Sequence, residues 1–250
     1  MEAARVAALR GHRVKLYERA EKLGGQVNLA LIPPHKEELR NILDYLTFQV
    51  KKLNIEVRLR YEVTAQAVEG EKPDAVILAS GAQPLIPEIP GWDSARTYTP
   101  QEALEDNRLP GERMIVLGGG MVGCEVAECL AARGKRVMVV EKLPEIAFGV
   151  EKHTRTLLLE RLQQGGVEIR TESEIVSLDG HRVTLQGKDG KCFQVAADGV
   201  VAALGGKPVR SLEDSLRESG VAFVAIVGDC RDARDIAAAI HEGFRAAMEV

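Results

Sequence analysis

An internal repeat constrains the fold of this chain more than any other feature of its sequence. Residues 2–18, EAARVAALRGHRVKLYE, align with residues 125–141, EVAECLAARGKRVMVVE, at a constant offset of 123, and eight of the seventeen positions are identical. Each copy has helical spacing, then a glycine, then a short apolar run that ends in a glutamate. The repeat therefore predicts two similar α/β halves within the 250 residues.

A glycine-rich turn precedes the second copy, whereas the first copy begins at the first residue of the chain. Segment 114–123, MIVLGGGMVG, indicates a strand that runs into a turn and a helix, and Gly118, Gly120 and Gly123 have the spacing G-x-G-x-x-G. In this motif the first glycine permits the tight turn, the second lets a pyrophosphate approach the backbone, and the third packs the helix on the strand. The phosphates meet the free N–H groups of the helix. The segment predicts a dinucleotide-binding turn.

An acid ends the strand that follows each copy of the helix. Glu141 lies about 20 residues beyond the glycine turn, where such motifs carry the carboxylate that binds the adenosine ribose hydroxyls and repels a 2′-phosphate. Glu141 therefore favours NADH, although Lys135, Arg136 and Lys142 lie near enough in sequence to keep NADPH possible. Glu18 is the equivalent acid in the first half and predicts a second ribose site.

A third motif, Gly228-Asp229, follows the apolar run FVAIV at 223–227. A carboxylate in this position can bind a polyol hydroxyl while the glycine allows close approach of the backbone. Taken alone, Gly-Asp after a strand is a common turn. In a chain with two nucleotide-binding halves it indicates the ribityl-binding corner of an FAD site.

The order of elements predicts an α/β fold with two Rossmann-like FAD/NAD(P)-binding domains, doubly wound and three-layered. We expect a discontinuous FAD-binding domain, residues 1–107 plus 208–250, that encloses an NADH-binding domain at 108–207. The proline-rich segment 84–110 is expected to connect the two. The first domain is expected to lack its opening strand and glycine loop, which would leave two inner strand edges unpaired.

Composition excludes several other functions. A net charge of −4 and an aromatic content of 4% argue against nucleic acid or an anionic membrane as partner. The sequence shows no apolar run of about 20 residues and no cleavable leader, which predicts a cytoplasmic protein. Five scattered histidines predict surface or packing residues, with His241, near the Gly-Asp corner, as the one to watch.

The cysteines predict neither a metal site nor disulfide chemistry. The four of them lack C-x-x-C spacing and are expected to be buried packing residues; they are Cys124, Cys129, Cys192 and Cys230. Disulfide reductases of the glutathione reductase type carry a redox cysteine pair after the Gly-Gly of the flavin half. Here the segment 24–29 reads GGQVNL, and this argues against that activity.

Taken together, the motifs resemble the C-terminal FAD- and pyridine nucleotide-binding region of the multidomain NADH:flavin oxidoreductases of the old-yellow-enzyme family, such as 2,4-dienoyl-CoA reductase and 2-enoate reductase. The matching segments are VKLYE, LGGQVN, PPHKEEL, AVILASGAQP, VLGGGMVGCEVA, AALGG and IVGDC…AAIHEGFRAAMEV. The resemblance covers nearly the whole chain, and GGQVN with PPHKEEL is its most specific part.

The resemblance implies a set of binding residues for each cofactor and no catalytic side chain. Those implied for FAD are Glu18 and Arg19 at the adenosine end, Gly25 and Gln26 near the pyrophosphate and ribityl region, Ser80 and Gly81 in place of the family's A-T-G turn, and Gly228 and Asp229 at the ribityl chain. Those implied for NADH are Gly118, Gly120, Met121, Val122 and Gly123 at the pyrophosphate, Glu141 at the ribose, and Leu204 and Gly205 along the passage between the cofactors. Glu125 is implied to face the carboxamide, with a first-turn acid that favours the helix dipole as the alternative.

In that family this region follows a TIM barrel that holds FMN and a cysteine-ligated 4Fe-4S cluster. Electrons pass from the nicotinamide through FAD and the cluster to FMN, which reduces an activated C=C bond. The present sequence contains neither the barrel nor the cluster cysteines, so those partners are expected in a longer parent, which could also be a homo-oligomer. The alternative is a nucleotide-binding structural module, or an inactive fragment without FAD, and retention of FAD distinguishes the two.

Overall fold

The computed structural model describes residues 1–92, 96–106, 109–218 and 220–250. They divide into two compact units, which we call unit 1 (residues 1–31, 37–83 and 206–250) and unit 2 (residues 32–36 and 84–205). Unit 1 is discontinuous in sequence, and its bounds differ from those predicted for the FAD-binding domain, residues 1–107 plus 208–250. The predicted boundary itself, between Asn107 and Arg108, lies outside the described residues.

The elements alternate along the chain as expected for an α/β fold. The strands are β1 (Lys15–Tyr17), β2 (Glu56–Arg58), β3 (Ala75–Leu78), β4 (Ala82–Pro84), β5 (Thr97–Tyr98), β6 (Arg113–Leu117), β7 (Arg136–Val140), β8 (Glu168–Arg170), β9 (Ser173–Asp179), β10 (Arg182–Gly187), β11 (Cys192–Ala196), β12 (Gly199–Ala202), β13 (Gly206–Pro208) and β14 (Phe223–Ile226). The helices are α1 (Glu2–Leu9), α2 (Val27–Ala30), α3 (Leu39–Lys52), α4 (Ala65–Glu71), α5 (Pro100–Glu105), α6 (Met121–Ala132), α7 (Lys152–Gln164), α8 (Glu213–Glu218) and α9 (Ile236–Glu249). A 3₁₀ turn spans Gly228–Cys230.

Unit 2 is built on a five-stranded parallel sheet of order β5-β12-β6-β7-β8. Strand β6 is central and almost entirely buried, as its apolar sequence RMIVL requires of a strand covered on both faces. Strands β9, β10 and β11 form a separate antiparallel sheet. The buried cluster that includes Ile115, Val183 and Leu185 draws on strands of both sheets.

The proline-rich segment was predicted as a connection between domains, and this was wrong for its described part. Residues 84–92 and 96–106 belong to unit 2. Strand β5 extends the parallel sheet by pairing Thr97 with Val200, and Trp92 is buried in the core of the unit. The described residues of this segment belong to unit 2 because β5 pairs with β12 and Trp92 packs in the core, and both contacts are with residues distant in sequence.

Unit 1 repeats the strand pattern of unit 2 in two separate parallel pairs, β1-β2 and β3-β14. The β1-β2 pair aligns Leu16 with Val57, and the corresponding β7-β8 pair aligns Val139 with Ile169. In unit 2 the central strand β6 joins β7 to β12.

Candidate nucleotide-binding sites

The glycine turn of unit 2 connects the buried strand β6 to helix α6. A Cβ built on Gly118, which has φ of 102°, would lie 2.4 Å from the carbonyl oxygen of Ala203. A Cβ on Gly123 would lie 1.9 Å from the carbonyl oxygen of Gly118. Both distances are far below contact, so the turn needs glycine at these two positions for its own packing.

Gly120 differs from its neighbours in this turn, because a Cβ built on it would meet no atom within 4 Å. It is the N-cap of α6, and no side chain caps the helix. The N–H groups of Met121, Val122 and Gly123 belong to the first turn, where helix geometry provides no acceptor. Open space in front of free donors at the positive end of a helix fits a pyrophosphate.

Glu141 joins the end of β7 to this turn. One carboxylate oxygen accepts the backbone N–H of Gly119 at 2.6 Å, and the other accepts that of Leu143 at 2.8 Å. The predicted ribose-binding acid and the predicted phosphate turn are therefore adjacent. Lys142, the cation next in sequence, pairs with Glu174 at 3.0 Å.

The loop at residues 143–147 packs against the glycine turn, a contact that the sequence did not predict. The N–H of Ala147 donates to the carbonyl oxygen of Gly119 at 2.6 Å, and a Cβ on Gly119 would lie 2.4 Å from Cγ2 of Ile146. Arg155 of α7 holds the loop by donating to the carbonyl oxygen of Ile146 at 3.1 Å. Nothing in the local segment LPEIA distinguishes it from an ordinary connection, because its role depends on a glycine about 27 residues earlier in the chain.

Glu125 lies in the second turn of α6, so the alternative of a first-turn acid was wrong, and it forms an ion pair with Lys36 at 2.5 Å. Their side chains are 12% and 23% exposed, so the pair is largely shielded. Lys36 belongs to the matched segment PPHKEEL, to which sequence reasoning gave no partner. The ion pair provides a role for Glu125 within unit 2, and its predicted contact with a carboxamide stays a prediction.

Leu204 and Gly205 follow β12 and lie beside the glycine turn. The side chain of Leu204 is 39% exposed, and its Cδ2 would be 3.5 Å from a Cβ on Gly118. Gly205 has φ of 94°, a conformation that favours glycine. The Leu204 side chain therefore lies next to the glycine turn, and the predicted role of both residues along the passage between the cofactors stays a prediction.

The cysteine and histidine side chains of the described chain differ in burial. Cys124 is buried, its Sγ lies 3.4 Å from the carbonyl oxygen of Gly119, and burial raises the pKa of this thiol to about 12. Cys129 and Cys230 are also buried, whereas Cys192 is exposed, contrary to prediction, because β11 is an outer strand of its sheet. All five histidines are exposed, and the described residues contain no cluster that could hold a metal ion.

In unit 1, Glu18 repeats the geometry of Glu141. Its carboxylate accepts the N–H of Ala20 at 2.8 Å, just as that of Glu141 accepts the N–H of Leu143, and the offset is again 123. The backbone N–H of Glu18 donates to the carbonyl oxygen of Arg58 at 2.9 Å. Arg19 is exposed beside it. The conformation at the end of the strand is thus shared between the two halves.

Two other predicted FAD residues, 203 positions apart, meet in unit 1. The side-chain amide of Gln26 donates to a carboxylate oxygen of Asp229 at 3.3 Å. Each of them follows a glycine with positive φ, 50° at Gly25 and 64° at Gly228. The GGQ segment and the Gly-Asp corner are therefore in contact, and their shared part in an FAD site stays a prediction.

Ser80 and Gly81 end strand β3. The Ser80 hydroxyl donates to the carbonyl oxygen of Val209 at 2.6 Å and lies 3.0 Å from Sγ of Cys230. The N–H of Val209 donates to the carbonyl oxygen of Gly81 at 2.9 Å. Serine thus ties the turn to two distant segments, a role that does not require the methyl group of threonine.

The acids Glu18 and Glu141 share one geometry at the ends of equivalent strands, and a glycine turn lies beside the second of them. Comparison with known proteins gives the family. The pyridine nucleotide-disulphide oxidoreductase model matches residues 1–229, and the chain belongs to that family. The resemblance to the FAD- and pyridine nucleotide-binding region of NADH:flavin oxidoreductases is confirmed.

Two relatives and one solved structure illustrate the match. Bilirubin reductase from Mediterraneibacter gnavus is 39% identical over 99% of this chain and 38% of its own length. NADH oxidase from Thermoanaerobacter brockii is 34% identical over 100% of the chain and 39% of its own length. A structure of 2-naphthoyl-CoA reductase with 2-naphthoyl-CoA has 29% identity and a TM-score of 0.94 over 100% of the chain and 38% of its own. The chain thus spans less than two fifths of these relatives.

No described helix is long and apolar enough to cross a membrane.

Proposed function

We propose that this chain binds NADH on unit 2 and FAD on unit 1 and thereby serves as the hydride-accepting part of an NADH:flavin oxidoreductase. The observation that carries the proposal is the hydrogen bond from the Gly119 amide to Glu141, which joins a ribose-binding acid to a phosphate-binding turn. When bound, the nicotinamide supplies a hydride that the flavin accepts. The protein has to bind and orient both rings and exclude water.

Each predicted residue of unit 2 has a distinct part in that task. The first-turn N–H groups of α6 bind the pyrophosphate, and Glu141 binds the ribose hydroxyls. Glu125 accepts a hydrogen bond from the carboxamide in this proposal, and its ion pair with Lys36, which fixes the direction of the side chain, supports that role. Orientation of this kind contributes to rate by holding the reacting atoms close together.

In unit 1, Glu18 binds the adenosine ribose of FAD, with Arg19 beside it. Gln26 and Asp229 present an amide and a carboxylate that can both bond to the ribityl hydroxyls. The glycines that precede them leave room for the chain of the cofactor to approach the backbone. The support for this assignment is that residues predicted for FAD from separate segments meet in one unit.

The activity of the complete protein requires modules beyond these residues. We propose that an FMN-binding barrel and a 4Fe-4S cluster in the same polypeptide receive the electrons and reduce an activated C=C bond. The relatives named for reduction of bilirubin and of 2-naphthoyl-CoA support this class of conjugated substrate. Free thiols in the described chain suit a reducing, cytoplasmic setting.

We expect the coenzyme to be NADH. The cations that kept NADPH possible are all engaged: Lys142 with Glu174, Arg136 with Glu112, and Lys135 with the carbonyl oxygens of Leu109 and Gly111. Lys135 and Arg136 also lie at the far end of β7 from Glu141. None of these three cations is therefore available to a 2′-phosphate without breaking a bond in the described structure.

The selectivity depends on the charge of Glu141, and Glu141→Gln tests it. The amide oxygen of glutamine can still accept the N–H of Gly119, whereas its NH2 group can no longer accept that of Leu143, and the repulsion of a 2′-phosphate is lost. We expect the ratio of the NADPH and NADH dissociation constants to fall by about tenfold, the equivalent of about 1.4 kcal/mol. Titration with both coenzymes measures it. Glu160→Gln, on the exposed side of α7, is the charge-matched control, and an equal ratio in the two variants would contradict the assignment.

The visible absorption spectrum, recorded before and after anaerobic addition of NADH, tests the whole proposal. A flavin spectrum near full occupancy that bleaches with NADH is the expected result for a hydride-accepting chain. A colourless protein that binds NADH would confine the function to unit 2 and favour the alternative, a nucleotide-binding module without FAD.

A further inference from the structure

The C-terminal helix carries a carboxylate that the predicted sites do not include. Glu242 lies in α9 with its side chain 12% exposed, and it accepts the backbone N–H of Gly228 at 2.8 Å. A Cβ on Gly228 would lie 3.2 Å from Cβ of Ala239, which is on the same face of α9 as Glu242. Helix α9 therefore both supports and hydrogen-bonds the glycine of the Gly-Asp corner.

Two arginines of the segment between the corner and α9 face the same carboxylate. Arg234 forms a close ion pair with Glu242, and Arg231 lies 3.6 Å from it. The backbone N–H of Arg234 lies 3.4 Å from a carboxylate oxygen of Asp229. The residue that pairs with Glu242 is therefore also next to the carboxylate predicted to bind the ribityl chain.

The charge state of Glu242 suits this arrangement. Burial by itself would raise the pKa of the carboxyl group, but the N–H of Gly228 and the guanidinium of Arg234 together lower the pKa below its usual value. The side chain is therefore an anion at neutral pH, and its hydrogen bond to Gly228 is charge-assisted.

We propose that Glu242 is the positioning residue that fixes the Gly228–Asp229 corner on helix α9, and that it acts on the ribityl chain through Asp229. The action of Glu242 on the ribityl chain rests on the function proposed above for unit 1. Glycine has the largest backbone freedom to lose, and Gly228 has a left-handed φ of 64°. Holding it in place before FAD arrives removes an ordering cost from binding.

The test compares three variants of the full chain by FAD titration, read by flavin fluorescence quenching, and by NADH titration. We expect Glu242→Ala to raise the Kd for FAD by about tenfold or more, through loss of a buried charge-assisted hydrogen bond. Glu242→Gln should have a smaller effect, because its amide oxygen still accepts the N–H of Gly228 but no longer pairs with Arg234. Glu249→Ala, exposed on the same helix, should leave the FAD affinity unchanged, and the Kd for NADH should be unchanged in all three.

Limited trypsin digestion provides a readout that does not need FAD. Arg231 and Arg234 are trypsin sites within the corner segment, and cleavage after them reports local opening. We expect several-fold faster cleavage in Glu242→Ala than in Glu249→Ala. If the wild-type chain binds no FAD, the function proposed for unit 1 fails, while the cleavage rates still decide whether Glu242 fixes the corner. Equal cleavage rates and equal FAD affinities in the two variants would overturn the inference.

Discussion

Replacing Gly120 with valine should raise the Kd for NADH by about 100-fold or more while the fold of unit 2 is retained. A side chain here would project into open space at the N-cap of α6, where we propose that the pyrophosphate binds. The loss corresponds to about 2.7 kcal/mol, the scale of one or two charge-assisted hydrogen bonds. Isothermal titration with NADH measures the effect directly.

The fold should tolerate this change because Gly120 has φ of −66° and ψ of −177°, which any residue adopts. Circular dichroism and the thermal midpoint should therefore be close to those of the wild type. Gly120→Ala provides a graded control, with a smaller increase in Kd because the methyl group intrudes less. Unchanged NADH affinity in the valine variant would show that the turn does not bind the pyrophosphate. Gly123 is unsuitable for this test, because a Cβ there would collide with Gly118.

The nucleotide-binding turn could be predicted from sequence because its physics is local. Gly118, Gly123 and the acid Glu141 lie within about 25 residues, on consecutive elements whose geometry follows from strand, turn and helix. The repeat extended this prediction to Glu18, and the structure shows the same carboxylate-to-backbone bond in both halves. Such patterns can be interpreted from sequence because the residues that determine the geometry are close together in the chain.

The repeat in fact continues beyond the segment where sequence comparison detects it. Strand β2, EVR, and strand β8, EIR, occupy equivalent positions, and each carries an arginine paired with the glutamate two residues earlier, at 2.8 Å and 2.7 Å. The offset between these strands is 112 rather than 123. The 11-residue change falls between the strands and hides the similarity from an alignment at constant offset.

Contacts between distant segments could not be predicted. Strand β5 has only two residues, and its place in the sheet depends on Val200 and Val201, about 100 positions later. The pairing of Lys36 with Glu125 and that of Gln26 with Asp229 likewise join segments that no local pattern relates. Glu242 was missed for the same reason, since its sequence context is an ordinary amphipathic helix.

Stability of unit 2 should depend strongly on Asp198, which lies between β11 and β12. Its carboxylate accepts the backbone N–H groups of Glu112 and Arg113, both at 2.9 Å, and the side chain of Arg113 at 3.0 Å. Its side chain is 14% exposed. Asp198→Ala leaves these donors at the start of β6 without their acceptor, and we expect the free energy of unfolding of unit 2 to fall by about 3 kcal/mol.

Urea denaturation followed by tryptophan fluorescence measures this loss, because the single tryptophan, Trp92, is buried in unit 2. The signal reports that unit alone, which matters in a chain of two units that need not unfold together. Asp179→Ala is the control, since Asp179 is 77% exposed and pairs with Arg182 three residues away. Equal midpoints in the two variants would contradict the role of Asp198.

The contribution of Asp198 to the stability of unit 2 should also depend on pH, and the shift in its pKa determines whether that contribution rises or falls with pH. The side chain of Arg113 and the two backbone N–H groups lower the pKa of Asp198 below its usual value. The native state therefore binds fewer protons than the unfolded state, and the stabilisation is fully present above about pH 4. It is lost as the pH falls through the lowered native pKa. The difference in stability between wild type and Asp198→Ala should therefore narrow as the pH falls below about pH 4.

Asp198 and Gly120 lie at opposite ends of β6, and this separates stability from binding. The strand spans Arg113–Leu117, roughly 13 Å at about 3.3 Å per residue. In the native state Asp198→Ala should therefore lower the stability of unit 2 and leave the Kd for NADH within about twofold of the wild type. Gly120→Val should instead raise the Kd for NADH and leave the stability of unit 2 close to that of the wild type. NADH titration of both variants at low temperature, where each is folded, tests this pair of outcomes. An equal loss of affinity in both would mean that the turn responds to the whole strand, and that the first turn of α6 alone does not determine NADH binding.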